Sequence, residues 1–224
     1  MIAKKENSLL LKTFESVESL FHILVTFMFT CTAILITYIV NVYVSGLDDD
    51  ISYILPAFGY ILTFAFAFLC LRIPYFRVIK AAGHFKETQN GAFISMGINI
   101  FVSICLVLKF NLIGVAIGTL LAMIYHTVYF VLYLKNNIIN RDPIHFFKHL
   151  LLDIIIVIIC FILTKDLFMT NITYISWIIY AIKIFCIVFP ITVILNYLFY
   201  KESLKYILNK IFKKKEKKIK WKHI

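Results

Sequence analysis

Charged residues are scarce in this chain. They make up 16% of its 224 residues, while hydrophobic residues make up 62%. An ordinary soluble domain carries about 25% charged residues. With a mean hydropathy of +0.90, the chain has far more apolar surface than a water-soluble core of this length can use, so a soluble globular domain is excluded. Acidic residues are rarer still, 12 against 23 Lys and Arg, for a formal charge of +11. In a soluble protein that excess would point to nucleic acid. Here the basic residues lie between and after apolar runs, the pattern that orients membrane helices, so nucleic acid is not an expected partner.

Other absences narrow the field further. No stretch alternates apolar and polar residues over about ten positions, as barrel strands do. The five cysteines, Cys31, Cys70, Cys105, Cys160 and Cys186, all fall inside apolar runs without metal-ligand spacing, and read as small packing residues. A phosphate-loop glycine motif, a serine nucleophile elbow and a kinase motif set are all missing. Catalytic residues, a cofactor and a metal are therefore not expected, and any transport would draw on an ion or substrate gradient, not on ATP. His145 and His149 stand four apart as helical metal ligands can, but the sequence places no third ligand near them. The first apolar run is too long for a signal sequence and has no cleavage site after it, which predicts a retained helix.

What is present is a set of six long apolar stretches, at 21–44, 52–71, 92–109, 112–134, 150–168 and 174–199. A helix needs about 20 residues to cross the hydrocarbon core. The expected fold is an all-α integral membrane protein with six transmembrane helices. A charged amphipathic arm at 1–20 precedes the membrane lobe at 21–200, and a basic tail at 201–224 follows it. Twenty of the 23 Lys and Arg fall in the arm, the 72–91 and 135–149 connectors and the tail, which places those segments and both termini in the cytoplasm. The acidic run Asp48, Asp49, Asp50 then falls outside. The 73–91 connector reads as an amphipathic surface helix broken by Gly83, and Arg141-Asp142-Pro143 as a turn and helix start. In the tail, Leu204, Ile207, Leu208, Ile211 and Phe212 form an apolar stripe before KKKEKKIKWK, suited to an anionic lipid surface or to a solvated, disordered end.

Several residues stand out against this apolar background. Lys183 lies about nine residues, or ~14 Å, into the last span. A charge there is costly unless it faces a wet cavity or a polar partner. Asp153 lies near the cytoplasmic end of its span, where an antiparallel last helix brings Asn196 to the same depth. It reads as a helix-start residue favoured by the dipole, or as part of a proton relay. Two rows of small and polar residues recur every three or four positions, Thr26-Thr30-Ala33-Thr37-Asn41 and Gly91-Ser95-Asn99-Ser103. Each fits either a cavity wall or an interhelical packing seam. Gly114, Gly118 and Ala122 mark a face that another helix can approach closely. Pro56 and Pro190 lie inside predicted spans and permit bends. Arg72, Arg77, Lys80 and Lys86 line one rim, as phosphate-binding cations or as simple orientation signals.

The segment from Arg72 to Leu134 also carries a likeness. Its PY, its A-G-H-F-K-x-T-Q connector, its I-N-I and its L-I-G-V-A-I-G-T turn resemble the polysaccharide flippases of the multidrug/oligosaccharidyl-lipid/polysaccharide exporter superfamily. The match extends more weakly over most of the chain and fits the second half of such a transporter. The resemblance implies one six-helix lobe of a two-lobe exporter in the bacterial inner membrane. Its partners would be a lipid-linked oligosaccharide with a pyrophosphate headgroup, membrane lipids, and a missing N-terminal lobe or a second copy. On that reading Lys183, Asn99 and Asn41 face the substrate cavity, and Arg72, Arg77 and Lys80 meet the headgroup at the cytoplasmic mouth. The alternatives are a membrane-embedded sugar-lipid enzyme, disfavoured by outer loops of only a few residues, and a non-transporting truncated scaffold.

Overall fold

The computed structural model describes residues 7–46 and 53–220, with side chains from residue 8 as far as residue 206. It is all helical. The elements are α1 (Asn7–Val44), α2 (Pro56–Leu71), α3 (Ile73–Ala81), α4 (Gln89–Phe110), α5 (Leu112–Asn137), α6 (Ile144–Thr164) and α7 (Tyr174–Lys220). Six helices among the described residues are long and apolar enough to cross a membrane, α2 and α3 together making one of them. The acidic run Asp48–Asp50, Lys4 and Lys5 lie outside the described residues, as do the side chains of the apolar tail stripe beyond Tyr206.

Local chemistry explains most helix ends. Pro56 is the first residue of α2, a position where its missing N–H costs nothing. It therefore starts a helix and does not bend one. After α3, Gly83 adopts φ +84°, and the His84 N–H reaches the Ile79 carbonyl while the Gly83 N–H reaches that of Lys80. This is the helix-ending pattern that glycine makes possible. Asp142 Oδ1 accepts the Ile144 N–H at 3.0 Å to open α6. A single residue, Asn111 at φ +49°, joins α4 to α5. Helix α7 continues through Pro190, and its one non-helical residue is Tyr200.

The helices pack in the order α4, α5, α2, α1, with α6 and α7 also packed against α1 and α3 lying across α5 and α1. The α4–α5 contact is unusually close. A Cβ added at Gly114 would fall 2.5 Å from the Leu106 backbone, and one at Gly118 would fall 2.9 Å from Ser103 N. Opposite them, Ser95 Oγ donates to the Ala122 carbonyl at 2.9 Å. One apolar core gathers Phe14, Leu71, Tyr75, Phe130, Leu134 and Phe146, and a second gathers Ile34, Ile156, Cys160, Ile184 and Val188 between α1, α6 and α7.

The arm expected at 1–20 is not a separate element. Helix α1 begins at Asn7 and runs without a break into the first span. Phe14 is 3% exposed in the first core, and the polar residues of this part, Ser16, Glu18 and Ser19, are buried with it. Amphipathic residues that looked destined for a surface are thus the foundation of the bundle at this end.

Candidate functional site

Helix α1 places Glu15, Glu18, Ser19 and His22 along one face, three or four residues apart. The connector before α6 supplies Arg141, α6 supplies His149 and Asp153, α3 supplies Tyr75, and α7 supplies Tyr200. Glu18, Ser19, His22 and Tyr75 are each 1% exposed. Arg141, His149 and Asp153 are also buried.

The group has two linked parts. In the first, Arg141 clasps Glu18 with both terminal nitrogens, Nη1 at 3.0 Å from Oε1 and Nη2 at 2.5 Å from Oε2. Tyr75 donates its hydroxyl to the same Oε1. Arg141 Nε lies 3.6 Å from Glu15, and its guanidinium lies 5.3 Å from the Phe14 ring centre. Burial acts against the Arg141 cation, but the Glu18 carboxylate outweighs it, with help from Tyr75 and Glu15, and raises the guanidinium's titration above its ordinary range. In the second part, His22 Nδ1 lies 2.5 Å from Asp153 Oδ2. The His22 ring stacks on His149 at 4.7 Å between centres, and His149 stacks on Tyr200 at 3.7 Å. Ser19 Oγ sits 3.5 Å from His149 Nε2. His22 Nε2, His149 Nδ1, Asp153 Oδ1 and Asn196 Oδ1 are buried with no partner among the described residues.

Such an arrangement does two things. A bidentate pair with a third hydrogen bond fixes the connector against α1 and specifies which helix faces meet. A buried histidine–carboxylate pair with an open ring nitrogen can take up and release a proton without unfolding its surroundings.

Asp153 is not a helix-start residue: it lies more than two turns into α6, in contact with α1, because its carboxylate has a histidine to meet there. Asn99 lies in the α4–α5 seam, its Oδ1 accepting from Ser103 at 3.2 Å and Thr119 at 3.4 Å. The row Gly91-Ser95-Asn99-Ser103 is therefore turned towards α5. Gly91 faces the Tyr129 ring. Of the other row, Thr26, Thr30 and Ala33 are buried, whereas Thr37 and Asn41 are half-buried. Lys183 is exposed on α7 beside exposed Ile182 and has no ion-pair partner among the described residues. Lys183, Asn99 and Asn41 are thus not brought together within these six helices.

A cleft of about 640 Å3 does open between α1 and α2, but Phe29, Ile36, Val40, Phe58, Leu62 and Phe66 make it apolar, and none of those three residues lines it. At the expected mouth, Arg72 is half-buried 5.7 Å from the Phe130 ring centre, with its Nη1 unpartnered among the described residues. Arg77 is exposed. Lys80 is exposed too, its ammonium 4.1 Å from the Phe76 ring centre.

Glu18, His22 and Tyr75, which no sequence motif marks as a site, and Arg141, expected only as part of a turn, are the residues the fold buries together. A signal existed in the spacing of Glu15, Glu18 and His22 along one face of α1. Of the two histidines at four-residue spacing, His149 is buried in this group and His145 is exposed, so they do not form a metal-ligand pair. Among the described residues no three His, Cys, Asp or Glu side chains are placed to hold a metal. No protein-family model, curated protein or solved structure matches this chain.

Proposed function

We propose that this chain is the C-terminal lobe of a flippase that carries lipid-linked oligosaccharide across the bacterial inner membrane for polysaccharide biosynthesis, and that it is not an enzyme. The observation that carries the reading is the pair of buried ionic contacts, Glu18–Arg141 and His22–Asp153, inside an otherwise apolar helical bundle. Ionisable groups in membrane helices are costly, and they mark pathways or proton relays far more often than anchors. The likeness of the Arg72–Leu134 segment to polysaccharide flippases supplies the substrate class. Both termini lie in the cytoplasm on this reading, because the basic connectors and the Arg141 end share one side.

The exposed flank of α7 bearing Lys183 suits a wall shared with a second lobe or a second copy, where the lysine, Asn41 and the Arg72 rim would meet an anionic headgroup. Asn99 contributes by holding α4 against α5. The His22–Asp153 pair is the element that a proton gradient would act on.

The test is export. Co-expression with the first lobe of a matching flippase, in a strain lacking its own, should restore surface glycan. Asp153→Asn and His22→Gln should each lower export at least tenfold at equal membrane abundance. Absence of export with both lobes present in the membrane would overturn the proposal.

A further inference from the structure

Helix α7 is kinked at Tyr200, where the backbone leaves the helical region at φ −127°, ψ +35°. The bend coincides with the end of a stack of three rings. His22 of α1 lies against His149 of α6 at an interplanar angle of 21°, and His149 lies against Tyr200 at 19°. Beyond the bend α7 continues to Lys220 as a lysine-rich helix, and Glu202, Ser203 and Tyr206 face Lys12, Glu15 and Ser16 of α1 across a small cleft. The stack is the link between the buried ionic group and this final helix. We propose that the His22–His149–Tyr200 stack is a proton-operated latch that holds the bend of α7 closed and lets the helix beyond it swing away from α1 when His149 is protonated.

The neighbours of His149 determine the sign. From α1 it is faced by Ser19 and His22 and from the connector by Arg141, while Glu15, Glu18 and Tyr75 belong to the adjoining Arg141 group. Its own helix contributes His145 and Asp153, and α7 contributes Tyr200. The three carboxylates are occupied elsewhere: Glu18 by Arg141 and Tyr75, Glu15 by Arg141, and Asp153 Oδ2 by His22. A proton arriving from water would go to Nδ1, since that nitrogen is free while Nε2 faces the Ser19 hydroxyl. The new imidazolium would lie flat against a His22 ring already hydrogen-bonded to Asp153, and the Arg141 cation would act against it as well. Turning His149 out of the stack relieves that repulsion and leaves Tyr200 without its partner. By reciprocity, whatever straightens α7 also changes the proton affinity of the site. The latch does not depend on the cargo of the transporter.

The experiment uses the full chain in lipid nanodiscs with the five native cysteines replaced. Nitroxide labels at Asn136→Cys, on the exposed end of α5, and Lys205→Cys, beyond the bend, report one distance by electron–electron double resonance. At pH 8 a single short distance is expected, and at pH 5 a second, longer population. His149→Phe keeps a flat ring that cannot be protonated and should hold the pH 8 distance at both values. Tyr200→Ala should give the longer distance at both. A wild-type distance that does not change with pH, or a His149→Phe chain that still changes, would overturn the latch.

Discussion

Replacing Arg141 with alanine removes the cation that clasps Glu18, and the structure fixes what remains. Glu18 is 1% exposed, and among the described residues its other partner is the Tyr75 hydroxyl. Breaking a buried ion pair from one side costs about 3–5 kcal/mol, because the surviving charge is stranded. Arg141→Ala should therefore lose about 4 kcal/mol. With 1 kcal/mol corresponding to about 2–4 °C in a chain of this size, the melting temperature should fall by roughly 8–16 °C.

A suitable assay is thermal release of a buried thiol to a fluorogenic maleimide. Cys160, which is 0% exposed, would be kept as the only cysteine of the purified protein in detergent. The double variant Glu18→Gln with Arg141→Met removes both charges and keeps a partner for Tyr75, so it should recover most of the loss. An Arg141→Ala chain melting within 2 °C of the parent would refute the reasoning. A double variant as unstable as the single one would place the cost in packing and not in charge. Because Arg141 titrates above its ordinary range, its contribution is fully present below that range and lost only at more alkaline pH. The gap between parent and Arg141→Ala should therefore not shrink between pH 7 and pH 10.

Three further outcomes test the packing and the site. Gly114→Ala drives a methyl group to within 2.5 Å of the Leu106 backbone and should cost about 1–3 kcal/mol, whereas Gly97→Ala, which meets nothing within 4 Å, should be neutral or slightly stabilising; the same melting assay separates them. A cysteine at Lys183 should react with a small water-soluble thiol reagent in permeable cells once a second lobe creates a wetted interface. Its failure to label, beside a labelled loop control, would remove Lys183 from the substrate path. His145→Ala should change neither export nor melting by more than about 0.5 kcal/mol, since surface substitutions away from special features rarely do.

Much of the architecture was legible because the bilayer writes long apolar runs into a sequence. All six spans overlap the helices found, and the one-residue α4–α5 turn, the Gly83 stop and the Asp142-Pro143 start each rest on local chemistry. The site was harder to read. Glu18 looked like part of a surface arm because its partner, Arg141, is 123 residues away, and nothing local announces such a pairing. Asp153 was visible as an oddity, but its meaning depended on His22, and a single chain offers no spacing rule across 131 residues. The α4 row of small and polar residues fitted a cavity wall and a packing seam equally well. Only the position of α5 decided between them, since Ser95 and Asn99 find their partners there.

The near-contact of the α4 and α5 backbones around Gly114 and Gly118 has a consequence for biogenesis. The two helices are joined by one residue, and α4 packs against its immediate successor. The pair can therefore leave the insertion machinery as a finished hairpin before α6 and α7 are synthesised. Its later docking onto α2 through α5 is then a rigid-body event, so an error in the ionic group at the other end of the molecule would leave this half of the bundle assembled.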